Sequence, residues 1–120
     1  MLVDFYTDKK ITSVPYQRDY DCWMSRLTED EKQTIRQTLN SLIDGDEIHT
    51  AGWMPGRDWT GTPFQPIYEK ATKRNIGLAA KCFGLVVWEV FMKRSEKWRT
   101  GRFEKNGEPI GSLTYFRVRQ

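Results

Sequence analysis

Hydrophobic positions recur along this chain with two periods. Tyr20, Trp23, Met24 and Leu27 fall at i, i+3, i+4 and i+7, one face of a helix. Ile35, Leu39, Leu42 and Ile43 give a second helical stripe over 29–44, with Lys32, Gln33, Arg36, Gln37 and Asn40 on its polar side. Thr28 followed three positions later by Glu31 is a capping box, and Gly45 is a natural stop. Thr62-Pro63 with Gln65 reads as another start, for a helix over 63–72 through Ile67, Tyr68 and Ala71.

Ile76 to Met92 is apolar almost all round, and only Lys81 and Glu89 carry charge there. Leu85-Val86-Val87-Trp88-Glu89-Val90-Phe91 is strand material by composition. The absence of turn residues, with Leu78-Ala79-Ala80-Lys81 before it, favours one helix over 76–94, begun at an Asn75 cap. Such a helix must be surrounded by other elements, so it forms the spine of the core.

Apolar and aromatic runs mark strands at both ends. Leu2 to Tyr6 predicts a short strand, closed by the polar turn Asp8-Lys9-Lys10, and Ile48–Trp53 predicts another. At the C-terminus, Trp98–Glu104 and Ile110–Val118 flank Asn106-Gly107, the strongest two-residue hairpin signal. A turn centred there sets Phe103 opposite Ile110, Thr100 opposite Leu113 and Trp98 opposite Tyr115. Trp98, Leu113 and Tyr115 then share the core side.

These elements predict one α+β domain over 1–120, with three or four helices around a buried central helix and a C-terminal β-hairpin. Residues 1–27 form an N-terminal arm and helix, and 28–118 form the core. The order of helices, short strand and hairpin over 28–118 resembles a winged helix-turn-helix. That resemblance implies nucleic-acid contact. In such folds the helix before the wing lies in the major groove and needs a polar outer face. Here that helix is the most apolar in the chain, so contact is expected from the hairpin side.

Composition supports a globular chain: 38% of the 120 residues are hydrophobic and 13% aromatic. No run approaches the ~20 apolar residues of a membrane span. Met1-Leu2-Val3-Asp4 lacks the basic-then-apolar layout of a secretion signal, which points to the cytoplasm. Cys22 and Cys82 have no CxxC neighbour and read as two reduced, packed thiols.

Charge is unevenly spread. Residues 1–60 hold seven Lys/Arg against eleven Asp/Glu, a balance of −4; residues 61–120 hold twelve against five, a balance of +7. This gradient marks either a nucleic-acid-facing side or two halves that attract one another. Lys93, Arg94, Lys97, Arg99 and Arg102 fall within ten positions, opposed by Glu96 alone. Lys105 sits at the hairpin tip, and Arg117 and Arg119 return beside the cluster. Several long cations on one surface suit phosphate oxygens, which makes the seven residues Lys93, Arg94, Lys97, Arg99, Arg102, Lys105 and Arg117 the candidate nucleic-acid interface. The bland reading is a solvated face.

A second candidate lies in the glycine-rich loop Gly52–Gly61. Trp53, Met54, Arg57 and Trp59 would form the anchor patch of a protein-binding inhibitor or regulator, unless the tryptophans fold back over the core. Signs of catalysis are thin. His49 is the single histidine, it makes with Asp58 the only polar pair near a plausible cleft, and no Gly-x-Ser-x-Gly elbow or phosphate-cradling loop exists. Asp44, Asp46 and Glu47 beside it read as a solvated turn rather than a cation site. The expectation is a non-catalytic binding module with no cofactor and no metal, whose partner is nucleic acid or a protein.

Overall fold

The two ends of the chain meet in one sheet, and the apolar helix packs against it. The computed structural model describes residues 1–44, 61–101 and 114–118, and the backbone alone of 48–50, 104–105 and 108–109. Among the described residues the strands are β1 (Leu2–Asp4), β2 (Lys10–Ile11), β3 (Ile48–Thr50), β4 (Trp98–Gly101), β5 (Glu104–Lys105), β6 (Glu108–Pro109) and β7 (Thr114–Arg117). The helices are α1 (Gln17–Met24), α2 (Glu29–Asp44) and α3 (Ile76–Lys93), with a π-helical turn at Ile67–Ala71. The result is a small α+β domain.

The main sheet runs β2-β1-β4-β7-β3, and β5 with β6 makes a separate two-stranded ladder. β1 is parallel to β4, while every other pairing is antiparallel. Residues 1–27 therefore supply two strands and α1 to the domain. The C-terminal hairpin is one part of this larger mixed sheet.

Most local signals acted as read, but the expected helix over 63–72 is instead a turn leading into the π-helical stretch Ile67–Ala71, with Gln65 Oε1 accepting from the Gly61 N–H at 3.0 Å. The Thr28 N–H donates to Glu31 Oε1 at 2.9 Å and the Glu31 N–H returns to Thr28 Oγ1 at 3.1 Å, closing the capping box. The Leu78 N–H donates to Asn75 Oδ1 at 3.0 Å, so Asn75 caps α3. Lys73 and Arg74 interrupt the chain before it, at φ 52° and 63°. α3 is one helix through residue 93, as the absence of turn residues favoured.

The hairpin keeps its faces but not its register. Lys105 pairs with Glu108, which brackets Asn106-Gly107 as expected. In the outer ladder, however, Trp98 pairs with Arg117 and Thr100 with Tyr115, two positions beyond the expected partners. A slip of two leaves side-chain parity unchanged. Trp98 and Tyr115 accordingly both face the core, each 1% exposed.

α3 lies between the sheet and the other helices. Phe91 stacks on Tyr115 at 4.1 Å between centroids and meets Trp98 edge-on at 4.8 Å, joining helix to sheet. On its other sides α3 meets α1, α2 and the π-helical turn. Two details differ from the sequence reading. The dry stretch begins at Cys82, because Ile76, Leu78, Ala80 and Lys81 stand exposed and only Ala79 is buried before it. On α2, Leu42 is also exposed, and Ile35, Leu39 and Ile43 alone form the buried stripe.

Candidate nucleic-acid interface

The seven cationic candidates divide once their neighbours are known. Arg94 ends α3 and turns toward α2. Its guanidinium donates to Asn40 Oδ1 at 2.7 Å and pairs with Asp44 and Glu96, with only 15% of the side chain exposed. Burial opposes its charge, but the hydrogen bonds to Asp44 and Glu96 outweigh that and hold Arg94 above the ordinary arginine value. Glu96 responds in kind: burial pushes its carboxyl up, yet hydrogen bonds from Arg94 and Trp98 bring it down to about 2. Arg94 is thus committed to closing the turn between α3 and β4.

Lys93, one residue earlier, is open. Two-thirds of its side chain is exposed, and its ammonium lies 3.9 Å from Glu89. Arg36 of α2 reaches Glu89 from the other side at 2.8 Å. Glu89 is the acid within the apolar run, and this pair explains how α3 buries it. Arg36, Asn40, Glu89, Lys93, Arg94 and Glu96 border an open cleft of about 340 Å³ between α2 and α3. Arg36 and Asn40 were assigned to water by their helical positions. They instead serve the α2–α3 seam, which periodicity alone could not reveal.

Lys97, Arg99 and Arg117 belong to the sheet. The Val118 N–H donates to the Lys97 carbonyl at 2.9 Å, which brings half-buried Lys97 beside exposed Arg117 at the end of β4 and β7. Arg99 pairs with Asp8 of the β1–β2 turn at 2.6 Å. Arg102 and the side chain of Lys105 lie outside the described residues, as do Arg119, Trp53, Met54, Arg57, Trp59, Asp58 and the side chain of His49.

Strand parity defines the two faces of the sheet. Leu2, Trp98 and Tyr115 belong to the core cluster. Their neighbours in sequence, Val3, Arg99 and Phe116, take the face turned away from α3. The register aligns Lys10 with Val3, Val3 with Arg99, and Arg99 with Phe116, so these four form one row across four strands. Phe5 meets Phe116 edge-on at 5.5 Å and Tyr6 at 5.3 Å. A basic and aromatic set is therefore assembled from β1, β2, β4 and β7. Sequence reasoning does not find Lys10, Phe5 and Tyr6 because they come from the opposite end of the chain to Arg99 and Phe116, which they join only through the β1–β4 pairing. The signal available was the apolar and aromatic character of Leu2 to Tyr6, which predicts a strand there but not its neighbour.

Several ion pairs link acid from the first half to base from the second: Glu31 with Lys70, Asp44 with Arg94, and Asp8 with Arg99. The charge gradient is spent partly on internal attraction. Of the two thiols, Cys82 is buried and its ionisation is pushed up to about 12 by that burial. Cys22 is exposed, contrary to the expectation of two packed thiols, because it falls outside the buried face of α1. Among the described residues there is no cluster of three or more acid, His or Cys ligands, and no helix long and apolar enough to cross a membrane. A comparison of the chain with protein families, curated proteins and solved structures finds no match.

Proposed function

We propose that this protein is a small, non-catalytic binding module that contacts nucleic acid through the β4–β7 side of its sheet. The observation that carries this reading is the cross-strand row of Lys10, Arg99 and Phe116 on the face opposite the helices. Lys97 extends the positive charge on that face, Arg117, with the parity of Trp98, stands exposed at the adjoining strand end, and Lys93 adds an exposed cation at the end of α3. Cations of this kind hold phosphates as positioning contacts and release condensed counterions, with no base specificity of their own. Arg94 serves this surface indirectly, by fixing the turn that carries Lys97.

On this reading α2, the π-helical turn, α3 and the hairpin follow one another as in a winged helix, and the hairpin side does the binding. α3 is sunk in the core and has no polar face to offer a groove. Two free cysteines suit a reducing cytoplasmic setting.

Fluorescence anisotropy with a mixed-sequence oligonucleotide pool tests the proposal. Binding at low salt should weaken ~10-fold or more between ~50 and ~200 mM salt, as several released counterions require. Lys97→Glu with Arg117→Glu should abolish it while the thermal midpoint stays within a few degrees. No retention at low salt would defeat the reading.

A further inference from the structure

Tyr6 is 70% exposed and Phe5 41% exposed, on a turn whose backbone is nonetheless pinned. The Asp4 carboxylate accepts from the N–H groups of Tyr6 at 2.8 Å and Thr7 at 2.9 Å. The Asp8 N–H returns to the Asp4 carbonyl at 2.9 Å, and the Phe5 N–H donates to the Thr100 carbonyl at 2.9 Å. Hydrogen bonds from Thr7 lead the lowering of the Asp4 carboxyl, so it remains an ionised acceptor that holds the turn. The two rings are thus presented to solvent on a fixed support.

The surroundings of these rings have the charge a polyanion requires. Asp4 is occupied by backbone N–H groups, and Asp8 is matched by Arg99. Lys9 and Lys10 lie in the same hairpin, with Lys10 in the row that ends at Phe116. Phe5 bridges Tyr6 to Phe116, so aromatic edge contacts continue from the hairpin tip to the centre of the sheet. Backbone charge alone would serve a duplex as well as a single strand. Exposed aromatic rings beside cations favour unpaired bases, because a duplex keeps its base faces stacked inside and must be unstacked to offer them.

We propose that the surface takes single-stranded nucleic acid, with Tyr6 and Phe5 as the rings on which unpaired bases stack. This rests on the nucleic-acid reading above. Lys10, Arg99 and Lys97 then track the phosphates, Arg117 adds charge from the strand end on the other parity, and Phe116 supports Phe5 from below. Stacking tolerates every base, so the preference is for strand state rather than for sequence.

The test uses the full chain and labelled strands of about 15 nucleotides, a length within the usual site size. Single-stranded DNA, single-stranded RNA and a DNA duplex of the same sequence are titrated separately. The proposal expects at least one single-strand arm to bind ~10-fold or more tighter than the duplex; the two arms show which sugar is preferred. Tyr6→Ala should weaken single-strand binding about fivefold or more and leave the salt slope unchanged, while Tyr6→Phe retains it. Folding of Tyr6→Ala is checked by thermal melt, where the exposure of the ring limits the shift to a few degrees despite the lost edge contact with Phe5. Equal binding of duplex and single strand, or a neutral Tyr6→Ala, would overturn the proposal and leave the nucleic-acid reading standing. Failure of every strand to bind at low salt would remove both.

Discussion

Along the seam between α2 and α3, Arg36 donates to Glu89, and Arg94 donates to Asn40, Asp44 and Glu96. On the far face of the sheet, Arg99 meets one exposed acid, and Lys10 shares its row with Val3 and Phe116. Both regions are built from cations beside aromatic or apolar side chains. They differ in how many acceptors surround each charge. Arg94 is saturated by acids and an amide carbonyl in a mostly buried site, so moving it would leave charge uncompensated. The sheet cations are partnered singly or stand at strand ends, which is what the proposed phosphate contacts require. A run of basic residues in sequence thus divides into structural and spendable cations, and only the surroundings tell them apart.

Breaking the seam should give the largest effect. Arg94→Ala strands Glu96 and removes three acceptor contacts, and should destabilise the fold by roughly 3 kcal/mol in denaturant titration. If Arg94 were a surface phosphate ligand instead, its loss would spare stability and weaken binding alone. Glu89→Leu should cost about 2 kcal/mol, because Arg36 keeps some access to water. Adding Arg36→Met should recover most of that loss, since apolar replacement of both partners leaves no buried charge; a double variant as unstable as the sum would contradict this account.

Acid should probe the seam next. The folded Glu96 carboxyl sits at about 2 against an ordinary value of 4.5, so its ionisation is easier in the folded state. Its contribution is therefore full above about 4.5 and is lost as pH falls through that value toward 2. Stability measured across this window should fall in the natural protein and fall less steeply in Glu96→Gln. An identical profile in both would remove Glu96 from the network.

The sheet side should show the reverse pattern. Lys97→Glu and Arg117→Glu, taken singly, should each change stability by no more than ~0.5 kcal/mol. Each should also reduce the salt slope of oligonucleotide binding by about one. The smallest effect belongs to thiol labelling: Cys22 should alkylate promptly, and Cys82, buried and with its ionisation at about 12, only on opening of the fold. Faster Cys82 labelling in Glu89→Leu, with none in Arg117→Glu, would sharpen the division between the two regions.

Amino-acid order alone determined what acts over a few residues. The Thr28–Glu31 box, the Asn75 cap, the continuity of α3 and the bracketing of Asn106-Gly107 each depend on groups within four positions of one another. Even the core parity of Trp98 and Tyr115 survived a register error, because an even slip cannot change faces. Tertiary structure decided the rest. Joining β1 to β4 brought Phe5 and Lys10 beside Arg99 and Phe116, and packing α2 on α3 set Asp44 against Arg94 and Arg36 against Glu89. No periodicity encodes those encounters. A charge's role depends on which distant acids reach it and how much water remains, and both are properties of the folded chain.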